Sequence, residues 1–130
     1  MDGLHLTADL ADCRGSRRWL TEPESLVAAC AQAVNASGRH AVAQLAHLFP
    51  ATPAGPGGVT ATVLLAESHL CVHTWPERRA VTLDVYVCNF SADHSHAAEQ
   101  LMNALLALLQ PGHTERHALQ RGHLPEATNA

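Results

Sequence analysis

Apolar and polar positions alternate along several stretches of the chain. In GLHLTADLADC (3–13), Leu4, Leu6, Ala8 and Leu10 alternate with His5, Thr7 and Asp9, the two-residue period of a strand with one buried face. AVTLDVYVCNF (80–90) sets Val81, Leu83, Val85 and Val87 against Thr82, Asp84, Tyr86 and Cys88. In HLCVHTW (69–75), Leu70 and Val72 take the apolar side, which sends His69, Cys71 and His73 to the opposite face, the face class of Cys88. VTATVLLAE (59–67) and HAVAQLAHLF (40–49) also read as strands, and ERHALQRGHL (115–124) as a last edge strand.

Two stretches change period. Leu26, Val27, Cys30 and Val34 recur at helical spacing behind Thr21-Glu22-Pro23-Glu24, a capping-box pattern with proline in the first turn, and Gly38 ends the run. A helix is predicted over 22–37. A second is predicted over 97–109, with Ser91, Asp93 or Ser95 as cap and Pro111-Gly112 as stop. Between them PATPAGPGG (50–58) is a loop. The order strand, helix, strands, helix, strand predicts an α+β fold, a two-layer sandwich of a mainly antiparallel sheet with two helices on one face. One domain spans 1–130.

Composition narrows the function. The hydrophobic fraction of 47% suits a single core, and 8 Lys+Arg against 12 Asp+Glu, net −4, leaves no cationic face for phosphates, so no nucleic-acid partner is expected. No apolar run approaches the ~20 residues of a membrane span, and the first residues lack a basic-then-apolar leader, so a soluble cytoplasmic protein without a membrane partner is expected. Four widely spaced cysteines read as free thiols, with Cys13 and Cys30 in the core. Trp75 is expected to serve packing, and His94, His96, His113, His117 and His123 to lie at the surface or in loops.

One interruption carries chemistry. Glu67-Ser68-His69 places three polar side chains where the strands around 59–75 ask for buried backbone. A serine hydroxyl reaches the carbonyl before it, so a strained peptide can rearrange from amide to ester. Loss of the serine α-proton then expels the upstream carboxylate, and hydrolysis of the resulting dehydroalanine leaves a pyruvoyl ketone. Such a ketone condenses with a substrate amine and draws electrons as carbon dioxide leaves, without pyridoxal phosphate. A thiol such as Cys88 can return the proton, and His73 can assist the earlier transfers. The residues alone also admit a zinc site of His69, Cys71, His73 and Cys88, or a non-catalytic paralogue regulating an active partner.

The string ESHLCVHTWPE followed by DVYVC resembles the short bacterial and archaeal form of S-adenosylmethionine decarboxylase, a pyruvoyl enzyme of polyamine synthesis. The pattern is E-S-H, then H-T-W-P-E, then a cysteine twenty positions after the serine, and Ser68, His73, Glu77 and Cys88 fall in register. GLHLTADLADC, HLFP, GGVTATVLLAESH and ERHALQRG extend the likeness over most of the chain. The resemblance implies cleavage between Glu67 and Ser68 into a β chain of 1–67 and an α chain of 68–130. Ser68 would become the pyruvoyl cofactor, His73 the proton acceptor of processing and Cys88 the catalytic proton donor. Glu77 would bind the substrate ribose and Phe49 stack on adenine; no metal is implied. It further implies a homodimer of processed protomers that decarboxylates S-adenosylmethionine to supply the aminopropyl donor for spermidine.

Two positions depart from the family pattern. Arg78-Arg79-Ala80 stands where Gly-Tyr is common, and Thr60 stands where a serine is expected eight positions before the cut. Both bear on the pocket, and arginine or ornithine is the alternative substrate within the same machinery.

Overall fold

Period-two alternation becomes a sheet with one dry face. The computed structural model describes residues 2–89 and 92–125. Its elements are β1 (Gly3–Cys13), α1 (Arg18–Thr21), α2 (Pro23–Ala36), β2 (Ala43–Leu48), β3 (Val59–Leu65), β4 (Ser68–Trp75), a 3-10 turn (Pro76–Arg78), β5 (Ala80–Cys88), α3 (Ser95–Leu109) and β6 (Pro111–Arg121). The strands form one sheet in the order β2-β3-β4-β5-β1-β6, antiparallel at every joint. The expected α+β sandwich is the architecture found.

Leu4, Leu6, Val63, Leu70, Val72, Val85 and their in-phase neighbours are buried beneath Leu26, Cys30 and Val34 of α2 and Leu101, Met102 and Leu105 of α3. The second helix, α2, packs on β2 and β3, whereas α3 packs on β1 and β5. Each fully buried leucine or valine contributes about 1.5–3 kcal/mol relative to exposure. Among the described residues the other face of the sheet carries no helix, and His5, Thr7, Cys71, His73, Asp84 and Tyr86 stay half-exposed there.

Element ends differ from the pattern where local hydrogen bonds outcompete it. The short α1 was not legible, and it takes up Thr21, whose hydroxyl donates to the Arg17 carbonyl at 3.1 Å. The capping box therefore does not form: Glu22 caps α2 through backbone alone, with Pro23 in the first turn. The N-cap of α3 is His94, without a side-chain bond, and Ser95 is already the first helical residue; one residue upstream Asp93 Oδ1 accepts the Ser95 N–H at 2.9 Å, a bond that holds the Asp93 carboxyl below its ordinary pKa. Ser91, the other upstream candidate, lies outside the described residues. The helix ends not at glycine but at Gln110, which takes a left-handed φ of 50° and donates its N–H to Leu106 O.

All four cysteines are free. Burial pushes the Cys30 thiol up to about 12, and burial, then the Asp12 charge, raises Cys13. Both are inert core residues at neutral pH.

Thr74 is a polar exception in the core, 5% exposed. Its hydroxyl donates to the Leu20 carbonyl at 2.7 Å and accepts the Val59 N–H at 2.8 Å, tying α1, β3 and β4 together. Thr74→Val keeps the shape and removes both hydrogen bonds, so denaturant titration should show a loss of roughly 2–6 kcal/mol, at ~1–3 kcal/mol for each of the two stranded buried groups. A loss below about 0.5 kcal/mol would show that neither bond stabilises the native state.

Candidate active site

Strands β3 and β4 are joined by two residues, Ala66 and Glu67, with Leu65 paired to Ser68. Glu67 has φ 55°, a left-handed conformation that side chains other than glycine or asparagine seldom take at a turn. Backbone strain thus sits at the peptide before Ser68. Ser68 is 6% exposed, its side chain on the helix-covered face with Leu70 and Val72. Its Oγ accepts the Cys88 N–H at 3.1 Å and an Arg39 guanidinium N–H at 3.4 Å. Cys88 lies at the end of β5, half-buried, and alternation puts its side chain on the opposite face, with Tyr86 and Asp84.

His73 belongs to the other end of β4. It is five residues beyond Ser68, which at ~3.3 Å per residue is about 16 Å. There its Nδ1 is hydrogen-bonded to Thr60 Oγ1 at 2.9 Å. The same end opens into a cavity of about 390 Å³ lined by Phe49, Thr60, His73, Trp75 and Glu77, with Gly57 and Gly58 in its wall. A Cβ on Gly57 would collide with the Phe49 carbonyl, and one on Gly58 with the Thr74 carbonyl. Only glycine allows the 50–58 loop to close this tightly on the sheet. The His47 ring stands edge-on to Phe49, centroids 4.8 Å apart.

Within one chain the structure therefore brings Ser68 to the Cys88 backbone N–H, with the two side chains on opposite faces, and separately gathers His73, Glu77 and Phe49, but it does not join the two groups. Trp75 departs from the packing role expected of it: it is 41% exposed and lines the cavity. Thr60, read from sequence as a departure, supplies through its hydroxyl the bond that orients His73. Arg39 was missed altogether. Its only sequence signal is its place directly after Gly38, the helix stop.

Among the described residues, one cluster has metal-ligating donors, His5, His69 and Asp84. Asp84 Oδ2 lies 3.0 Å from His5 Nε2 and 3.1 Å from His69 Nε2. The Arg121 guanidinium, which can only donate, contacts His5 Nδ1 at 3.0 Å. The neutral His5 ring therefore carries its proton on Nε2, the atom a metal would need. The zinc site read from sequence does not assemble: His69 and His73 stand four strand positions apart, about 13 Å, and among the described residues the ligating atoms that come together are those of His5, His69 and Asp84. Cys71 turns instead to Thr62 Oγ1 at 3.2 Å, and His73 to Thr60.

A family model described as S-adenosylmethionine decarboxylase matches residues 4–122. The chain is 34% identical over 105 residues to the S-adenosylmethionine decarboxylase proenzyme of Thermotoga maritima, covering 81% of this chain and 75% of that one. To the proenzymes of Hydrogenobaculum sp. and Aquifex aeolicus it is 35% and 40% identical over 72 and 74 residues, 55% and 57% of this chain. Those two matches span about half the length of the relatives, 51% and 52%. The crystal structure of the adenosylmethionine decarboxylase from Aquifex aeolicus superposes with a TM-score of 0.79 at 28% identity, covering 98% of this chain and 97% of that one. With a family model matched over nearly its whole length, the chain belongs to the S-adenosylmethionine decarboxylase family.

Proposed function

We propose that the chain is the precursor of a pyruvoyl-dependent decarboxylase that cuts itself between Glu67 and Ser68 and acts on S-adenosylmethionine as a homodimer. The observation that carries this reading is the buried Ser68 hydroxyl, held behind a left-handed Glu67 with two N–H donors on its oxygen. The relatives' name, proenzyme, is in keeping with it.

In the first step Ser68 Oγ bonds to the Glu67 carbonyl carbon, the 67–68 C–N bond breaks, and the hydroxyl proton ends on the freed nitrogen. Relief of the left-handed turn favours this exchange of amide for ester. Removal of the Ser68 α-proton then breaks the Cβ–Oγ bond, and Oγ departs within the new Glu67 carboxylate. The enamine left on residue 68 tautomerises, takes up water and releases ammonia. The pyruvoyl group so formed would supply an electron sink for a substrate amine. Cys88, anchored by its N–H at the same chain end, is the donor that returns a proton to the substrate carbon.

His73 is the base in this reading, and the length of the strand favours the His73 of a second copy. About 16 Å separates it from Ser68 of its own chain, out of reach of proton transfer. The helix-free face of the sheet also carries Leu45, Leu64 and Leu119, exposed apolar side chains in register with Thr62, His69 and His5. Two such faces related by a two-fold axis bury that surface and bring the cavity end of one β4 to the Ser68 end of the other. The cavity suits a nucleoside: Phe49 and Trp75 offer ring faces to a base, and Glu77 a carboxylate to vicinal hydroxyls. Decarboxylated S-adenosylmethionine is the aminopropyl donor for spermidine.

Intact mass of the wild-type protein should show two chains, 1–67 and a 68–130 fragment lacking ammonia, while Ser68→Ala stays a single chain. Only the wild type should release labelled carbon dioxide, from S-adenosylmethionine and not from arginine or ornithine; release by Ser68→Ala refutes the pyruvoyl reading, and turnover of arginine or ornithine alone refutes the substrate. Cys88→Ala, compared per mole of ketone, should lose roughly 10²–10⁴-fold in turnover, the usual contribution of a positioned acid. Unchanged turnover would remove Cys88 from that role.

A further inference from the structure

Arg39 is held at the cut by the end of α2. Gly38 takes φ 84°, its N–H donates to Asn35 O at 3.1 Å, and the Arg39 N–H reaches back to Val34 O at 3.3 Å. This is a Schellman ending, which fixes where the next side chain leaves the helix. From there one Arg39 nitrogen spans the turn, donating to the Ala66 carbonyl and to Ser68 Oγ, both at 3.4 Å. Arg39 Nε is buried and has no partner among the described residues. A guanidinium that donates on both sides of Glu67 and keeps one buried N–H unused is a site for an anion that the intact chain does not yet contain.

Resting on the self-cleavage reading, we propose that Arg39 is a catalytic residue of maturation: it stabilises the negative charge that collects on Ser68 Oγ, and afterwards pairs with the α-carboxylate left on Glu67. During the acyl shift Oγ gives up its proton as it bonds to the Glu67 carbonyl carbon. During elimination the Cβ–Oγ bond breaks and its electron pair leaves on that oxygen, so charge develops at one atom in both steps. Arg39 and the Cys88 N–H already point at it. Arg39 gains and loses no proton. Its charge matters most in elimination, where the leaving group is a full carboxylate and the spare Nε–H finds its partner.

The test follows maturation of freshly purified precursor by gel and intact mass, with hydroxylamine added to a parallel sample. Hydroxylamine opens the ester, giving a Glu67 hydroxamate and a free Ser68 amine, and so counts molecules stalled before elimination. Arg39→Gln should mature at least about tenfold more slowly than wild type and accumulate the hydroxylamine-sensitive form. Arg39→Lys, which returns the charge, should recover part of the rate, which a merely structural role would not require. Maturation of Arg39→Gln at the wild-type rate, or slow maturation without the ester, overturns the proposal. Circular dichroism separates slow chemistry from misfolding, and should Arg39→Gln not fold, Arg39→Met, which keeps the apolar stem, takes its place with the same two readouts. If the wild-type chain itself is never cut, the self-cleavage reading has failed; if it is cut and the Arg39 variants keep pace, only the role of Arg39 has.

Discussion

The length of β4 governs everything else in this molecule. A strand with both neighbours hydrogen-bonded along its run, here β3 and β5, can neither bend double nor slip by one residue without turning its buried set to solvent. Ser68 and His73 are therefore held apart at a fixed spacing, each against its own local partners: Cys88 and Arg39 at one end, Thr60 and the Phe49–Trp75–Glu77 cavity at the other. On the proposed reading, a chain built this way presents two half-sites and no whole one. In the proposed homodimer, the helix-free face is the surface through which the second copy completes both at once.

The same sheet supplies what the proposed cut requires. A serine is costly in a dry core unless its hydroxyl is satisfied, and Ser68 is satisfied by donors only, so its oxygen is polarised rather than quenched. Glu67, forced left-handed by the two-residue turn, holds the peptide that follows it in a conformation that the folded surroundings must pay for. Strain, burial and donors meet at one bond. All three come from the chain's own residues; in the proposed reading only the base, His73, comes from the second copy.

Much of this was legible in the sequence because alternation is a direct record of which face is wet. The sides taken by His5, His73, Asp84 and Cys88 follow from parity alone, as do the two long helices from Leu26, Cys30 and Val34 and from the leucines of α3. What parity does not encode is distance along a strand relative to a third element. Arg39 reaches Ser68 only because the end of α2 is docked over the β3–β4 turn, and the Thr60–His73 bond depends on the register of β3 against β4. The short α1 and the failure of the capping box at Thr21 turn on single hydrogen bonds that compete at equal sequence cost. Trp75 reads as core by composition, yet stands at the rim of the cavity because the alternation of β4 turns it outward.

A site shared between two copies is tested most directly by mixing two defective chains. Chains carrying Ser68→Ala and His73→Ala, given different tags and co-expressed, can be purified as heterodimers through both tags in turn. The shared-site account predicts that each chain is inert alone, that in the heterodimer the His73→Ala chain is cut, and that about half the activity of the wild-type dimer returns, one restored site of two. An inert heterodimer, or a His73→Ala homodimer that matures normally, would contradict it.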